Sequence, residues 1–314
     1  MSDDAPATDY AALAPCVRVM PIEEYHRAPG ASKSRLDWVA KSPALVEWAD
    51  KAPVDEDADK AVDIGSALHS LLLEPDQFTK EYVADFKAPD GAIVTTYDFQ
   101  EALQARGVSF LKSASKKVLM ETLLDHDPDA PVSDVLREAW EGSVNGREVL
   151  TLGDWRKLHL MRDSVMAHPT ARKLLEADGH TERSHFWIDD LTGELCRCRI
   201  DREIPQFAAV LDIKTTADMQ RFPRSAKRYR YPMQQVMYSE GYAATQGHPP
   251  AVFGFVVVSS TRDAGRYPVD VMYCSPGDLE NASLELRRDL ATWAAARKSG
   301  QWSGFHEMTL PPWD

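Results

Sequence analysis

Val210-Leu211-Asp212-Ile213-Lys214-Thr215 is the stretch on which the reading of this chain turns. Four of its six residues are β-branched or large and apolar, which predicts a strand. Side chains of a strand alternate in direction, so Asp212 and Lys214 share one face while Leu211 and Ile213 enter the other. A carboxylate and an ammonium are thereby held side by side. The strand before it ends in Arg199-Ile200-Asp201-Arg202, and a neighbouring strand brings Asp201 beside Asp212. Two fixed carboxylates form a site for a hard divalent cation, which prefers oxygen ligands.

Before this stretch, residues 182–188 and 195–202 alternate and are joined by Asp189-Asp190-Leu191-Thr192-Gly193, a turn signature, so they predict a β-hairpin. The strand at 208–215 follows Pro205. A helix over 231–245 then precedes the apolar run 252–258, whose composition marks a strand buried on both faces. A strand at 269–274 and a helix over 276–298 complete the chain. This order implies a mixed central sheet flanked by helices, an α/β fold.

Upstream the period is helical. A helix over 152–177 is interrupted by Pro169, helices are expected near 98–105 and 112–124, and 61–73 reads as a largely buried helix ending before Pro75. An acidic linker covers 50–59. Short helices through 35–39 and 44–48 are capped by Ser32, Ser34 or Ser42. Residues 1–19 are expected to be a flexible tail, and 20–314 a single domain: a helical part over 20–180, a sheet core over 181–275 and the last helix.

The 314 residues carry a net charge of -13, which taken alone argues against a nucleic-acid partner. The average hides a local reversal. Lys214, Arg221, Arg224, Lys227, Arg228 and Arg230 are opposed within that segment only by Asp218. No apolar run approaches the roughly 20 residues that cross a bilayer, so no membrane partner is expected. Residues 1–14 lack the basic and apolar regions of a secretory signal, so the chain is expected in the cytoplasm. Cys16, Cys196, Cys198 and Cys274 are too irregularly spaced for a disulfide framework or a zinc site. Cys196 and Cys198, two apart in a strand, read as small core fillers.

Two further spacings matter. Gly65 and His69 lie four apart on the predicted helix and share a face, and the glycine lets that face approach its neighbour closely. Gln234 and Tyr238, again four apart, share a face of the helix after the 208–215 strand. Asp201 followed by Asp212-Ile213-Lys214 resembles the D-x(n)-(D/E)-x-K signature of the PD-(D/E)xK nucleases. Gly65-Ser66-Ala67-Leu68-His69 resembles their G-x-x-x-H motif, and Gln234-Gln235-Val236-Met237-Tyr238 their Q-x-x-x-Y motif. All occur in family order. Ser32-Lys33-Ser34-Arg35-Leu36 and Asp212-Ile213-Lys214-Thr215-Thr216-Ala217-Asp218 also look like sequence of the RecE type (exonuclease VIII-like), and the resemblance runs from about residue 32 into the last helix.

The resemblance implies a restriction-endonuclease-like core that hydrolyses DNA with one or two Mg2+ ions, Mn2+ being a substitute. It assigns the metal to His69, Asp201, Asp212 and the backbone carbonyl of Ile213. Lys214 would orient the attacking water, and Gln234 and Tyr238 would position the nucleophile or the adjacent phosphate. Arg221, Arg224, Lys227, Arg228 and Arg230 would track the DNA backbone. Glu182 reads either as a further carboxylate near the metal or as a surface acid. RecE-type relatives degrade linear duplex DNA from 5′ ends, leave 3′ single strands for phage-type recombination, form rings and cooperate with a RecT-like single-strand annealing protein. A homo-oligomeric ring with basic segments turned inward would reconcile an acidic exterior with a DNA channel. Rival readings are an endonuclease of the same superfamily, an iron–sulfur nuclease, which needs cluster cysteines that this chain lacks around Cys274, and a non-catalytic DNA-binding or assembly module.

Overall fold

Capping side chains and prolines set most helix starts in the structure, a computed structural model that describes residues 8–51 and 63–302. The front of the chain forms α1 (Tyr10–Leu13), β1 (Cys16–Arg18), α2 (Ile22–Arg27), α3 (Lys33–Lys41), α4 (Ala44–Lys51) and α5 (Ile64–Leu73). Next come α6 (Pro75–Glu81), β2 (Tyr82–Ala84), α7 (Thr96–Ala105), α8 (Lys116–His126), α9 (Ser133–Ser143), β3 (Glu148–Leu150) and α10 (Leu152–Ala167). The remainder is α11 (Pro169–Glu176), β4 (His180–Ile188), β5 (Leu195–Ile204), β6 (Ala209–Thr216), α12 (Phe222–Arg228), α13 (Tyr231–Gln246), β7 (Val252–Ser259), β8 (Val269–Met272) and α14 (Pro276–Ser299). Ser32 caps α3 by accepting the Arg35 N–H at 3.4 Å, and Pro169, with His168 as cap, opens α11 as the expected break.

Two expectations about organisation are corrected. The chain forms two compact units, Met1–Glu74 with Leu160–Asp314, and Pro75–His159, rather than a single domain. The front is not a loose tail as far as it is described. Tyr10 is buried and stacks on Phe186 with ring centroids 4.3 Å apart, and β1 pairs antiparallel with β4. A three-residue strand is too short to show a period, which is why the sequence hides it. Residues 1–7 and most of the acidic linker lie outside the described residues.

In the unit 75–159, α7 and α8 bury Phe99, Leu103, Leu119 and Leu123 against each other, and β2 and β3 pair in parallel. Neither that pair nor α9 was legible beforehand.

The larger unit is built on a sheet of order β1-β4-β5-β6-β7-β8, antiparallel throughout except for β6 and β7. A parallel pair needs a crossover, which α12 and α13 supply. On one face a core of Leu36, Trp187, Cys198, Ile200, Met237, Phe255, Leu286 and Trp293 joins α3, α13 and α14 to the sheet. Cys196 and Cys198 are fully buried there, as fillers. Among the described residues no helix is long and apolar enough to cross a membrane.

Gly241 sets how closely α13 lies on β4 and β5. A Cβ at this position would stand 2.6 Å from the Trp187 ring and 3.0 Å from the Cys198 sulfur. Alanine would gain about 1 kcal/mol of helix propensity over glycine, yet overpacking against a buried ring costs roughly 1–3 kcal/mol. Gly241→Ala is therefore expected to lower the melting temperature in a thermal scan, and an unchanged or raised value would contradict the close approach.

Candidate active site

β5 and β6 run as a ladder from Ile204–Ala209 only as far as Arg202–Leu211. Beyond it, the Ile213 N–H donates to Oδ2 of Asp201 at 2.7 Å. A side chain thus replaces the ladder bond, and the strands part at the two aspartates. The β4–β5 ladder is interrupted at the same level. Thr181 pairs with Arg202 and Arg183 with Ile200, while Glu182, which that register sets opposite Asp201, has a φ of 54°. A left-handed backbone at a residue with a Cβ costs on the order of 1–3 kcal/mol and persists only where its surroundings hold it. Here Arg199 holds it. Its Nε donates to Oε2 of Glu182 at 2.5 Å and its Nη1 to the Met20 carbonyl at 2.8 Å.

His69 arrives from α5, whose first turn is capped by Asp63 accepting the Gly65 N–H at 2.9 Å. A Cβ on Gly65 would stand 3.2 Å from Thr215 Oγ1, so the glycine lets α5 close on β6 and carry His69 in. His69 Nε2 lies 2.7 Å from Asp201 Oδ2, and its Nδ1 3.0 Å from Glu182 Oε1. One donor atom from each of the three residues falls within 4.8 Å of the others.

Asp212 belongs to a second, adjoining group. It is buried, its Oδ2 lies 2.6 Å from the Lys214 ammonium, and its Oδ1 accepts a hydrogen bond from the Gln234 amide. Lys214 in turn lies 4.8 Å from the centroid of the Tyr231 ring. Tyr238, one turn beyond Gln234, is partly covered by the core, and burial, helped by Tyr25 and Cys198 and then by Asp212 and Asp201, drives its hydroxyl well above the ordinary phenol pKa. It stays neutral.

The electrostatics follow from this crowding. Burial works against a charged His69, but the carboxylates of Asp201 and Glu182 outweigh it and raise its pKa to about 11. Burial likewise tends to raise Asp201, yet His69, Lys214 and the Ile213 N–H bring it below the usual carboxylate value. Asp212 is pushed up to about 6 by burial and then by Asp201, against the pull of Lys214. Burial would neutralise Lys214, and Asp212 and Asp201 keep its pKa raised.

The positive charge between Glu182 and Asp201 is thus carried by an imidazolium. A divalent cation fits the same donor set once that proton leaves, because carboxylate oxygens and a neutral imidazole are its ligands. A raised pKa means that the proton competes harder as pH falls. Apparent affinity for Mn2+ is therefore expected to weaken by about tenfold for each pH unit lowered through the neutral range. Calorimetric titrations at several pH values check this, and an affinity flat with pH would contradict it.

The structure thus brings together His69, Asp201, Asp212, Lys214 and Gln234, and sets Glu182 and one residue the sequence did not single out, Arg199, beside them. Glu182, for which the sequence allows either a carboxylate near the metal or a surface acid, stands in the metal-type cluster with His69 and Asp201, and Arg199 orients it. Arg221, Arg224, Lys227 and Arg228 are exposed on or beside α12, which the sequence reading knew only as a basic run. Arg230 is set apart from them. It is mostly covered and paired with Asp37 at 3.1 Å, with Glu285 at 3.0 Å and with Asp289.

A family model described as a PDDEXK-like domain of unknown function (DUF3799) matches residues 32–305. A crystal structure from Eubacterium rectale described as "Putative exonuclease" superposes with a TM-score of 0.55 over 90% of this chain and 88% of that one, at 12% identity, a likeness of fold. A search of curated proteins finds no match.

Proposed function

The chain belongs to the PDDEXK-like domain family DUF3799, and from that premise we propose that it is a divalent-metal-dependent deoxyribonuclease acting as an exonuclease. The observation that carries this reading is the convergence of His69, Glu182 and Asp201 within 4.8 Å of one another beside the Asp212–Lys214 pair. A bound divalent cation supplies an acidified water and neutralises charge on the scissile phosphate. Its ligands in this reading are His69, Glu182 and Asp201, with the Asp212–Lys214 pair beside them. Lys214 offsets the negative charge that develops on the phosphoryl oxygens. Gln234 fixes Asp212, so that the ammonium and both carboxylates keep one geometry. Arg199 holds Glu182 towards His69. Arg221, Arg224, Lys227 and Arg228 bind phosphates along the strand, which positions DNA without reading its sequence.

The finer reading follows the RecE-type resemblance. Mg2+ is the working ion, linear duplex DNA is digested from 5′ ends to leave 3′ single strands, and the protein works in the cytoplasm. A ring of copies and a RecT-like annealing protein complete that proposal for phage-type recombination. The test is incubation with linear and covalently closed circular DNA, with and without Mg2+ or Mn2+. Loss of the linear form alone, with release of nucleotides from 5′-labelled ends, is the expected result. Cleavage of both forms would indicate an endonuclease, and survival of both would leave a DNA-binding or assembly module.

A further inference from the structure

Beside the catalytic-type lysine, a run of aromatic rings climbs from the core to the surface. Phe255 on β7 is 2% exposed, Tyr231 stacks on it at 5.9 Å and 28°, and Tyr229 stacks on Tyr231 at 6.0 Å and 25°. Tyr229 ends the run with 51% of its surface exposed. Lys214, 4.8 Å from the Tyr231 centroid, lies one ring away from that exposed end.

The backbone that carries Tyr229 is held at some cost. Arg230, between the two tyrosines, breaks α12 from α13 in the left-handed conformation, with φ at 56°. Asp37, Glu285 and Asp289 grip its guanidinium, and Lys33 donates to the Tyr229 carbonyl at 2.6 Å. Single exposed aromatics are common and need no explanation. This one is stacked beneath, fixed through its own backbone and flanked by the Arg228 guanidinium, 5.7 Å from its ring. Aromatic faces for bases beside cations for phosphates are what a strand with unpaired bases requires.

We infer that Tyr229 and Tyr231 form a stacking platform for an unpaired base next to the scissile phosphate, so that the substrate is a DNA end whose terminal base has left the duplex. This rests on the nuclease reading. Tyr231 braces the platform and Tyr229 presents its working face.

The test uses the full chain with Mn2+ and duplex oligonucleotides ending in 2-aminopurine at the 5′ or the 3′ terminus in turn, each with a counterpart abasic at that position. Tyr229→Ala is expected to lower kcat/KM on the intact end by about 5- to 150-fold, the range of one lost base stack. Tyr229→Trp retains the rate, and the wild-type chain on the abasic end loses as much as the variant does, with no further loss when both changes are combined. Quenching of 2-aminopurine by wild type and Tyr229→Trp, absent with Tyr229→Ala, reports the stack directly. An unchanged rate in Tyr229→Ala, or an equal loss on intact and abasic ends, would overturn the platform while leaving the nuclease standing. A wild-type chain that cleaves none of these substrates would overturn the nuclease reading and the platform with it.

Discussion

Asp201→Asn is expected to lower metal-dependent cleavage of linear DNA by about 10³-fold, because charge stabilisation by a held cation amounts to several kcal/mol, and about 4 kcal/mol is that factor. Asp201 occupies the centre of the site. Its Oδ2 faces the His69 Nε2 at 2.7 Å and also accepts the Ile213 N–H at 2.7 Å. Asparagine keeps an acceptor for that N–H, so the parting of β5 and β6 survives while one of two carboxylates is lost. It also removes the larger part of the pull on the His69 proton, so the variant's imidazole titrates below the raised value of the native chain. The loss should therefore appear as weakened Mn2+ uptake together with a fallen rate, with an unchanged circular dichroism spectrum. A variant that binds Mn2+ as tightly and cleaves as fast as the native chain would remove Asp201 from the metal site.

Lys214→Met should cost about 10²–10³-fold in kcat, the usual loss for one group aimed at developing negative charge. Its second effect separates a chemical from a merely structural role. Asp212 has a pKa of about 6 because burial and Asp201 raise it while Lys214 pulls it down. Without the ammonium the carboxyl rises further, so a larger fraction is protonated at neutral pH. The acid limb of the pH–rate profile should move to higher pH, and arginine, which keeps the charge, should restore the limb better than the rate. A profile that does not move would place Lys214 outside the site's electrostatics.

The strand 208–215, the hairpin and the helices over 231–245 and 276–298 were legible because each is long enough to show its period and is bounded by proline, glycine or a turn sequence. The Asp212–Lys214 pairing followed from strand alternation, and the approach of α5 from the Gly65–His69 spacing. Glu182 was within reach. Pairing 182–188 end to end with 195–202 already sets residue 182 opposite Asp201, as the register does in the structure. What stayed hidden was the left-handed backbone that turns Glu182 towards His69, since a φ of 54° at a glutamate has no compositional mark. Arg199 was hidden for a related reason: its partners, Glu182 and the Met20 carbonyl, are brought to it by β4 and by a segment about 180 residues away. The basic run was visible as charge, but the division between Arg230, paired with three carboxylates, and its exposed neighbours depends on α3 and α14, which supply those carboxylates. Long-range partners of this kind leave no local signal.

Anomalous diffraction from crystals of the full chain soaked in Mn2+ decides whether His69, Glu182 and Asp201 hold the ion. A manganese peak bounded by the His69 imidazole and the carboxylates of Glu182 and Asp201, on the side where Asp212 and Lys214 stand, is the expected result. A peak coordinated by other residues, with those three side chains left in contact only with one another, would contradict it.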